Sequence, residues 1–157
     1  MPNHVENDLT VKGDVDEIRR FFEEVKGGRK DGTEDVLIDA NKLIPYPKVF
    51  EDKDSDGSGF EGFNSGGYEW CVANWGTKWG MYSFEPPVFK KKSAKVTFST
   101  AWSPPLPLVL KMSEMYPNLK FSLRYYECGM GFCGRYEAKA GVVMLDRTED
   151  YRGNRGG

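Results

Sequence analysis

His4-Val-Glu-Asn-Asp-Leu-Thr-Val-Lys12 is followed, across Gly13, by Asp14-Val-Asp-Glu-Ile-Arg-Arg-Phe-Phe-Glu-Glu-Val25, and the change of hydrophobic period between these stretches decides the fold class. In the first, Val5, Asn7, Leu9 and Val11 recur at every second residue, the period of a strand with one buried face. In the second, Val15, Ile18, Phe21, Phe22 and Val25 recur at helical spacing. Asp14 stands where a helix N-cap belongs, and Glu17, three residues on, completes a capping box. Gly27-Gly28 stops the helix.

Outward from this opening, Gly27 to Thr33 reads as a polar loop, Val36 to Asp39 as a short apolar stretch, and Leu43 to Pro47 as extended, because residues before proline avoid the helical region. Lys48 to Gly67 is acidic and glycine-rich, an inserted loop. Tyr68 to Trp75 is predicted to form a short helix ended by Gly76. Met81–Phe84 and Ala94–Trp102 read as strands. Ser103 is the expected N-cap of a helix with Leu106, Val109, Leu110, Ser113 and Tyr116 on one face, ended by Pro117. Leu119, Phe121, Leu123 and Tyr125 alternate as a strand, and 135–140 and 142–145 follow as two more. The polar segment from Asp146 reads as a frayed tail.

This order matches a split βαβ plan once the insertion is set aside: an α+β, ferredoxin-like antiparallel sheet with two helices on one face. The expected organisation is one domain over residues 1–146, with an insertion at about 48–79 and a flexible polar tail at 147–157.

The 157 residues hold 22 Lys and Arg against 24 Asp and Glu, but the charge is uneven. Residues 1–89 carry 10 basic and 18 acidic side chains, and residues 90–157 carry 12 and 6, so the second half is able to steer an anionic partner. No apolar run reaches membrane-spanning length, the first residues lack a leader pattern, and the three cysteines show no Cys-x-x-Cys spacing. A reduced, cytoplasmic protein is the expectation, with no membrane association.

Met1–Gly13, Asn41-Lys-Leu-Ile-Pro-Tyr-Pro47, the segment 70–79, Thr100-Ala-Trp-Ser-Pro-Pro105 and Tyr125-Tyr-Glu-Cys-Gly129 together resemble the YubB-type ferredoxin-like domain. That family is found mostly on bacteriophages, prophages and plasmids. The resemblance spans nearly the whole chain. It implies a ferredoxin-like α+β fold, an origin on a mobile element and a bacterial host, and it implies no activity. The stretch from Glu51 to Asn64 lies outside the pattern.

Three of the four tryptophans fall in Tyr68-Glu-Trp-Cys-Val-Ala-Asn-Trp-Gly-Thr-Lys-Trp79. Trp75 and Cys71 share a helix face and read as an anchor on the sheet. Beyond Gly76, Lys78 and Trp79 are candidates for recognition, an aromatic ring beside an ammonium. Trp70 and Trp102 join them as candidate binding residues, with Trp102 also placed at the hinge between strand and helix. On the sheet, the rings of Tyr82, Phe84, Phe98, Trp102, Phe121, Tyr125, Tyr126 and Phe132 are interleaved with Lys95, Lys120, Arg124 and Arg135. Sheets of this general plan bind RNA through open-face aromatics with basic neighbours, although the sequence motif of that class is absent. Tyr125, Glu127 and Arg135 are the candidate binding residues of this region.

Catalytic signatures are lacking. His4 is the sole histidine, and the spacing of Cys71, Cys128 and Cys133 contains no zinc knuckle. Cys128 and Cys133, with Arg135 near, are the only candidate nucleophiles. Asp52, Asp54 and Asp56, followed by Gly57, copy the first half of a calcium loop, but its twelfth position is Phe63 where a bidentate Glu is required. No cofactor or metal is expected. The sequence reads best as a non-enzymatic phage or plasmid accessory protein that binds a protein partner, with a host-defence factor among the partner classes. The alternative is single-stranded nucleic-acid binding through the aromatic and basic sheet face.

Overall fold

The computed structural model describes residues 1–28, 35–50 and 66–157. Strand β1 (His4–Lys12) runs into helix α1 (Val15–Val25) as the sequence periods require. Asp14 caps α1, its carboxylate accepting from the Asp16 and Glu17 amides at 3.0 and 3.4 Å. The reciprocal half of the capping box is missing, because the Glu17 carboxylate pairs with Arg20 at 3.0 Å.

Gly27–Gly28 (β2) and Asp35–Val36 (β3) pair in a two-residue ladder of their own. A short helix α2 (Ala40–Leu43), capped by Asp39, stands between the stretch read as apolar and the one read as extended, taking in Leu43 from the latter, and a single 3₁₀ turn covers Lys48–Phe50. Helix α3 (Gly67–Trp75) ends at Gly76, whose φ of +77° suits glycine alone without strain. The predicted strand at Met81–Phe84 is reduced to one bridge, Tyr82 to Ser99. The edge strand is instead β4 (Val88–Lys90), beside β5 (Ser93–Ala101).

Helix α4 (Leu106–Met115) has Pro105, not Ser103, at its N-cap. Ser103 spends its hydroxyl on the Gly76 carbonyl at 2.5 Å, and Pro105 and Pro107, having no N–H, leave fewer donors that need a cap. The buried face of α4 holds Leu108, Val109, Met112 and Ser113, and Leu106 and Leu110 are half-buried. This is a rotation from the expected face that brings in Leu108 and Met112. Strands β6 (Lys120–Glu127), β7 (Phe132–Lys139) and β8 (Val142–Asp150) complete the chain order.

Six strands form one sheet in the order β4-β5-β1-β6-β7-β8, every neighbouring pair antiparallel. β5 and β6 flank β1 and are joined through α4, which is the split βαβ unit. Register puts Val5, Leu9 and Val11 beside Val96, Phe98, Phe121 and Leu123 on one face, and all are buried there. Phe21 of α1 meets Phe121 edge-on at 5.2 Å and Tyr116, at the end of α4, at 5.1 Å, so both helices cover that face.

The tail departs from expectation. β8 continues to Asp150, past the boundary placed at 146, and Tyr151–Gly157 fold back along the sheet. There His4 and Gly157 exchange backbone hydrogen bonds at 3.2 and 2.7 Å. The Cys128 thiol donates to the Gly156 carbonyl, and Arg155 meets Glu6 and Asp8. The segment read as frayed because it is polar and glycine-rich is thus held by charge pairing that sequence order does not display.

Candidate functional site

The candidate residues separate into three places. Trp75 is fully buried, and its indole N–H donates to the Ile44 carbonyl at 2.8 Å. Trp70, half-buried, lies edge-on to it at 5.3 Å and to Tyr46 at 5.5 Å, in an aromatic cluster that holds α3. Cys71, also fully buried, has its thiol pushed up to about 12 by burial, which keeps it protonated and unreactive.

Lys78 and Trp79 meet as the sequence suggests, the ammonium 4.8 Å from the ring centroid. Both are half-buried. The Trp79 ring leans on Tyr82 at 6.4 Å, and the Tyr82 hydroxyl shares a 2.5 Å hydrogen bond with His4 Nδ1. Burial pushes the Tyr82 phenol up to about 12 against a lowering hydrogen bond from Trp79, so the phenol keeps its proton at neutral pH. His4 is thereby engaged with the Tyr82 hydroxyl through Nδ1. Trp102 is 39% exposed with φ +71°, and its amide donates to the Asn3 carbonyl at 2.9 Å.

Tyr125 and Glu127 are structural. Tyr125 stands under the helices, its hydroxyl bonded to Thr148 at 2.8 Å and lying where a side chain at Gly134 would otherwise project. Burial raises the Tyr125 phenol, against the Thr148 hydrogen bond. Glu127 is fully buried and accepts the amides of Gly129 at 2.6 Å and Met130 at 2.7 Å, closing the turn between β6 and β7. Neither residue reaches the face opposite the helices.

That open face carries the remaining chemistry. Strand register places Lys12, Lys90, Lys95, Lys120, Arg124, Arg135, Lys139 and Arg147 on it, against Glu6, Asp8, Glu137 and Glu149. Of the expected aromatic set, Tyr82 and Tyr126 face this way. Phe98, Phe121 and Tyr125 alternate to the other side, Phe84 packs on Phe98 at 5.6 Å, and Phe132 packs on Tyr125 at 6.2 Å. A cleft of about 300 Å³ opens between β6, β7 and β8, lined by Arg124, Tyr126, Cys133, Arg135, Arg147 and Glu149. Arg124 and Arg147 form no close pair in sequence. Only the strand register unites them with Arg135.

Asp52, Asp54 and Asp56 lie outside the described residues. Among the described residues no cluster of His, Cys, Asp or Glu is placed to hold a metal ion, and no helix is long and apolar enough to cross a membrane.

Residues 74–155 match the family described as the ferredoxin-like domain in Api92-like protein. The chain belongs to the Api92-like family. Its fold is similar to the crystal structure of protein api92 from Yersinia pseudotuberculosis, with a TM-score of 0.53 at 16% identity. The match covers 78% of this chain and 43% of that one, so the Api92-like chain described here spans less than half the length of that relative. At this identity the likeness is one of fold. A comparison with curated proteins returned no match.

Proposed function

We propose that the protein is a non-enzymatic binding module whose working surface is the open sheet face and whose partner is a nucleic-acid strand. One observation carries the reading: on the sheet strands, eight Lys or Arg side chains stand against four carboxylates on the face that none of the described helices covers. Phosphate contacts dominate such affinity, and a basic face draws a polyanion without base specificity. With Tyr82 and Tyr126 on the open face but Phe98, Phe121 and Tyr125 turned to the other, stacking is the smaller contribution and charge the larger.

The test is binding of labelled single-stranded DNA and RNA at two salt concentrations. The affinity is expected to fall steeply with salt, and a protein that binds neither strand at low salt would sink the reading.

A protein partner is the second reading, favoured by the outer strand β8, where Val142, Val143 and Met144 are exposed beside a strand edge that no described strand pairs. The resemblance to YubB-type domains supports placing such a module on a phage or plasmid, in the cytoplasm of a bacterial host, with a host-defence factor as the partner class. Recovery of one host protein by the wild type, and its loss when Lys78 and Trp79 are both replaced by Ala, would locate that contact at the Lys78–Trp79 edge. Loss on replacing Val142 and Met144 by Ser would locate it at β8.

A further inference from the structure

Arg124 of β6 stands opposite Arg135 of β7, and Arg135 stands opposite Arg147 of β8. Three guanidinium groups thus form one row across three neighbouring strands spaced about 5 Å apart. Like charges directly opposite on adjacent strands are unfavourable, and the hairpin does not impose this alignment. The Ala140-Gly141 turn pairs Lys139 with Val142 and Ala138 with Val143. Continued without interruption, that register would set Asp146 against Arg135, an ion pair. Met144 interrupts it: no residue of β7 opposes Met144, the register shifts by one between Ala138 and Glu137, Asp146 turns to face Tyr136, and Arg147 takes the place beside Arg135. A bulge has exchanged a carboxylate for a third guanidinium, and bulges recur where a binding site needs a side chain re-aimed.

The row is short of counter-charge. Arg147 has Glu149 at 2.9 Å, and Arg135 shares Glu137, at 3.8 Å, with the closer Lys120 at 3.1 Å. Arg124 forms no ion pair among the described residues, although Asp8 is its direct cross-strand neighbour on β1. Asp8 is occupied. Both terminal nitrogens of Arg155 donate to its oxygens at 3.0 Å, and the Thr97 hydroxyl adds a bond at 2.9 Å. The Arg155 Nε takes Glu6, and the guanidinium lies over the Tyr126 ring at 4.4 Å.

We propose that the cleft between Arg124, Arg135 and Arg147 binds a phosphate group of a nucleic-acid strand, and that Arg155 is a positioning residue that frees Arg124 by holding Asp8. This rests on the reading of the open face as a nucleic-acid surface. Guanidinium forks match phosphate oxygens in bidentate fashion. Three of them with one carboxylate in the cleft wall, Glu149, and with Glu137 matched by Lys120, leave a charge suited to a dianionic phosphate, so a terminal phosphate is the better fit and an internal phosphodiester the weaker one. When Arg155 leaves, Asp8 turns to Arg124 and the site loses its unpaired cation.

The experiment uses the full chain, fluorescence anisotropy with a labelled single-stranded 12-mer carrying either a 5′-phosphate or a 5′-hydroxyl, and NMR of the arginine Nε–H signals during titration with inorganic phosphate. Arg124→Gln and Arg135→Gln are each expected to weaken the oligonucleotide about tenfold, the loss of one charge-assisted contact. Arg155→Gln weakens it as well, although Arg155 lies outside the cleft. Asp8→Asn added to Arg155→Gln restores affinity, whereas Glu6→Gln added to Arg155→Gln, with the same net charge, does not. Equal recovery in the two double variants overturns the positioning role. Oligonucleotide binding that survives Arg124→Gln and Arg135→Gln unchanged overturns the cleft while leaving the open-face reading intact. Phosphate that shifts the Arg124 signal in a protein that binds no oligonucleotide keeps the cleft and overturns the open-face reading. Tighter binding of the 5′-phosphate strand identifies the terminal phosphate as ligand, and equal binding identifies the phosphodiester.

Discussion

The indole N–H of Trp75 donates to the backbone carbonyl of Ile44 at 2.8 Å, which joins α3 to the chain leaving α2 across the inserted segment. Neither residue is exposed enough for water to replace the bond cheaply, and the Trp75 ring has no solvent-accessible surface. Trp75→Phe leaves the carbonyl without its donor and a gap beside Trp70 and Tyr46, with an expected loss of about 2–3 kcal/mol in urea denaturation. Trp79→Phe, at a half-buried ring, is expected to cost under about 1 kcal/mol. Equal midpoints for wild type and Trp75→Phe would remove Trp75 from its role as anchor.

Asp8 and Glu137 set the acid limit of the fold. Burial raises the Asp8 carboxyl, but hydrogen bonds from Arg155 and Thr97 and the charges of Arg155 and Lys95 together bring it below its ordinary value. Glu137 is lowered by its Lys120 hydrogen bond first, against burial, with Lys120, Arg135 and Lys12 charges assisting. Both groups bind a proton more tightly when unfolded, so their stabilisation is complete above the unfolded values near 4 and is lost as pH falls through the lower folded ones. Asp8→Asn is expected to cost about 1 kcal/mol at pH 7, discounted because Arg155 remains partly solvated. The gap from wild type then closes on acidification below pH 4. A gap that stays constant from pH 7 to pH 2.5 in urea titrations excludes this linkage.

The β7–β8 turn offers a stabilising substitution. Ala140 and Gly141 have φ of +51° and +75°, the left-handed pair of a type I′ turn, in which Asn-Gly is preferred and Ala is strained. Ala140→Asn is expected to add about 1 kcal/mol, or roughly 3 °C in Tm for a domain of this size. Because the turn sets the first two pairs of the hairpin, the effect should appear in thermal melts without a change in the denaturant m-value. A lower Tm would contradict the left-handed geometry at Ala140.

What the sequence discloses and what it withholds follow from the range of the interactions involved. β1 and α1 are legible because period and cap are local: Val5, Leu9 and Val11 alternate, Asp14 sits before Ile18, and both features survive folding. Gly76 announces the end of α3 for the same reason. Ser103 misleads because its hydroxyl has a distant acceptor, the Gly76 carbonyl, that competes with capping. Tyr125 and Glu127 look like surface candidates beside Arg124, yet alternation turns them under the helices. The arginine row is hidden most completely. Arg135 stands out, but its alignment with Arg147 depends on Met144 being left out of the ladder, which local pattern does not reveal. The place of Arg155 depends on two carboxylates roughly 150 positions earlier in the chain.

Arg135 is the central member of the row, with guanidinium groups on both sides and only a 3.8 Å contact to Glu137 in return. Such a contact on an exposed side chain contributes little, and two like-charged cross-strand neighbours cost a few tenths of a kcal/mol or more. Arg135→Gln is therefore expected to leave stability unchanged or raise it by about 0.5 kcal/mol at low ionic strength. The gain should vanish above about 0.5 M salt, where screening already separates the three charges. Added phosphate should raise the Tm of the wild type by binding the folded state alone, and should do so much less for Arg135→Gln. Thermal melts across a salt series, with and without phosphate, measure both effects. A variant that is destabilised at every salt concentration would show that the row is held by favourable contacts and is not awaiting an anion.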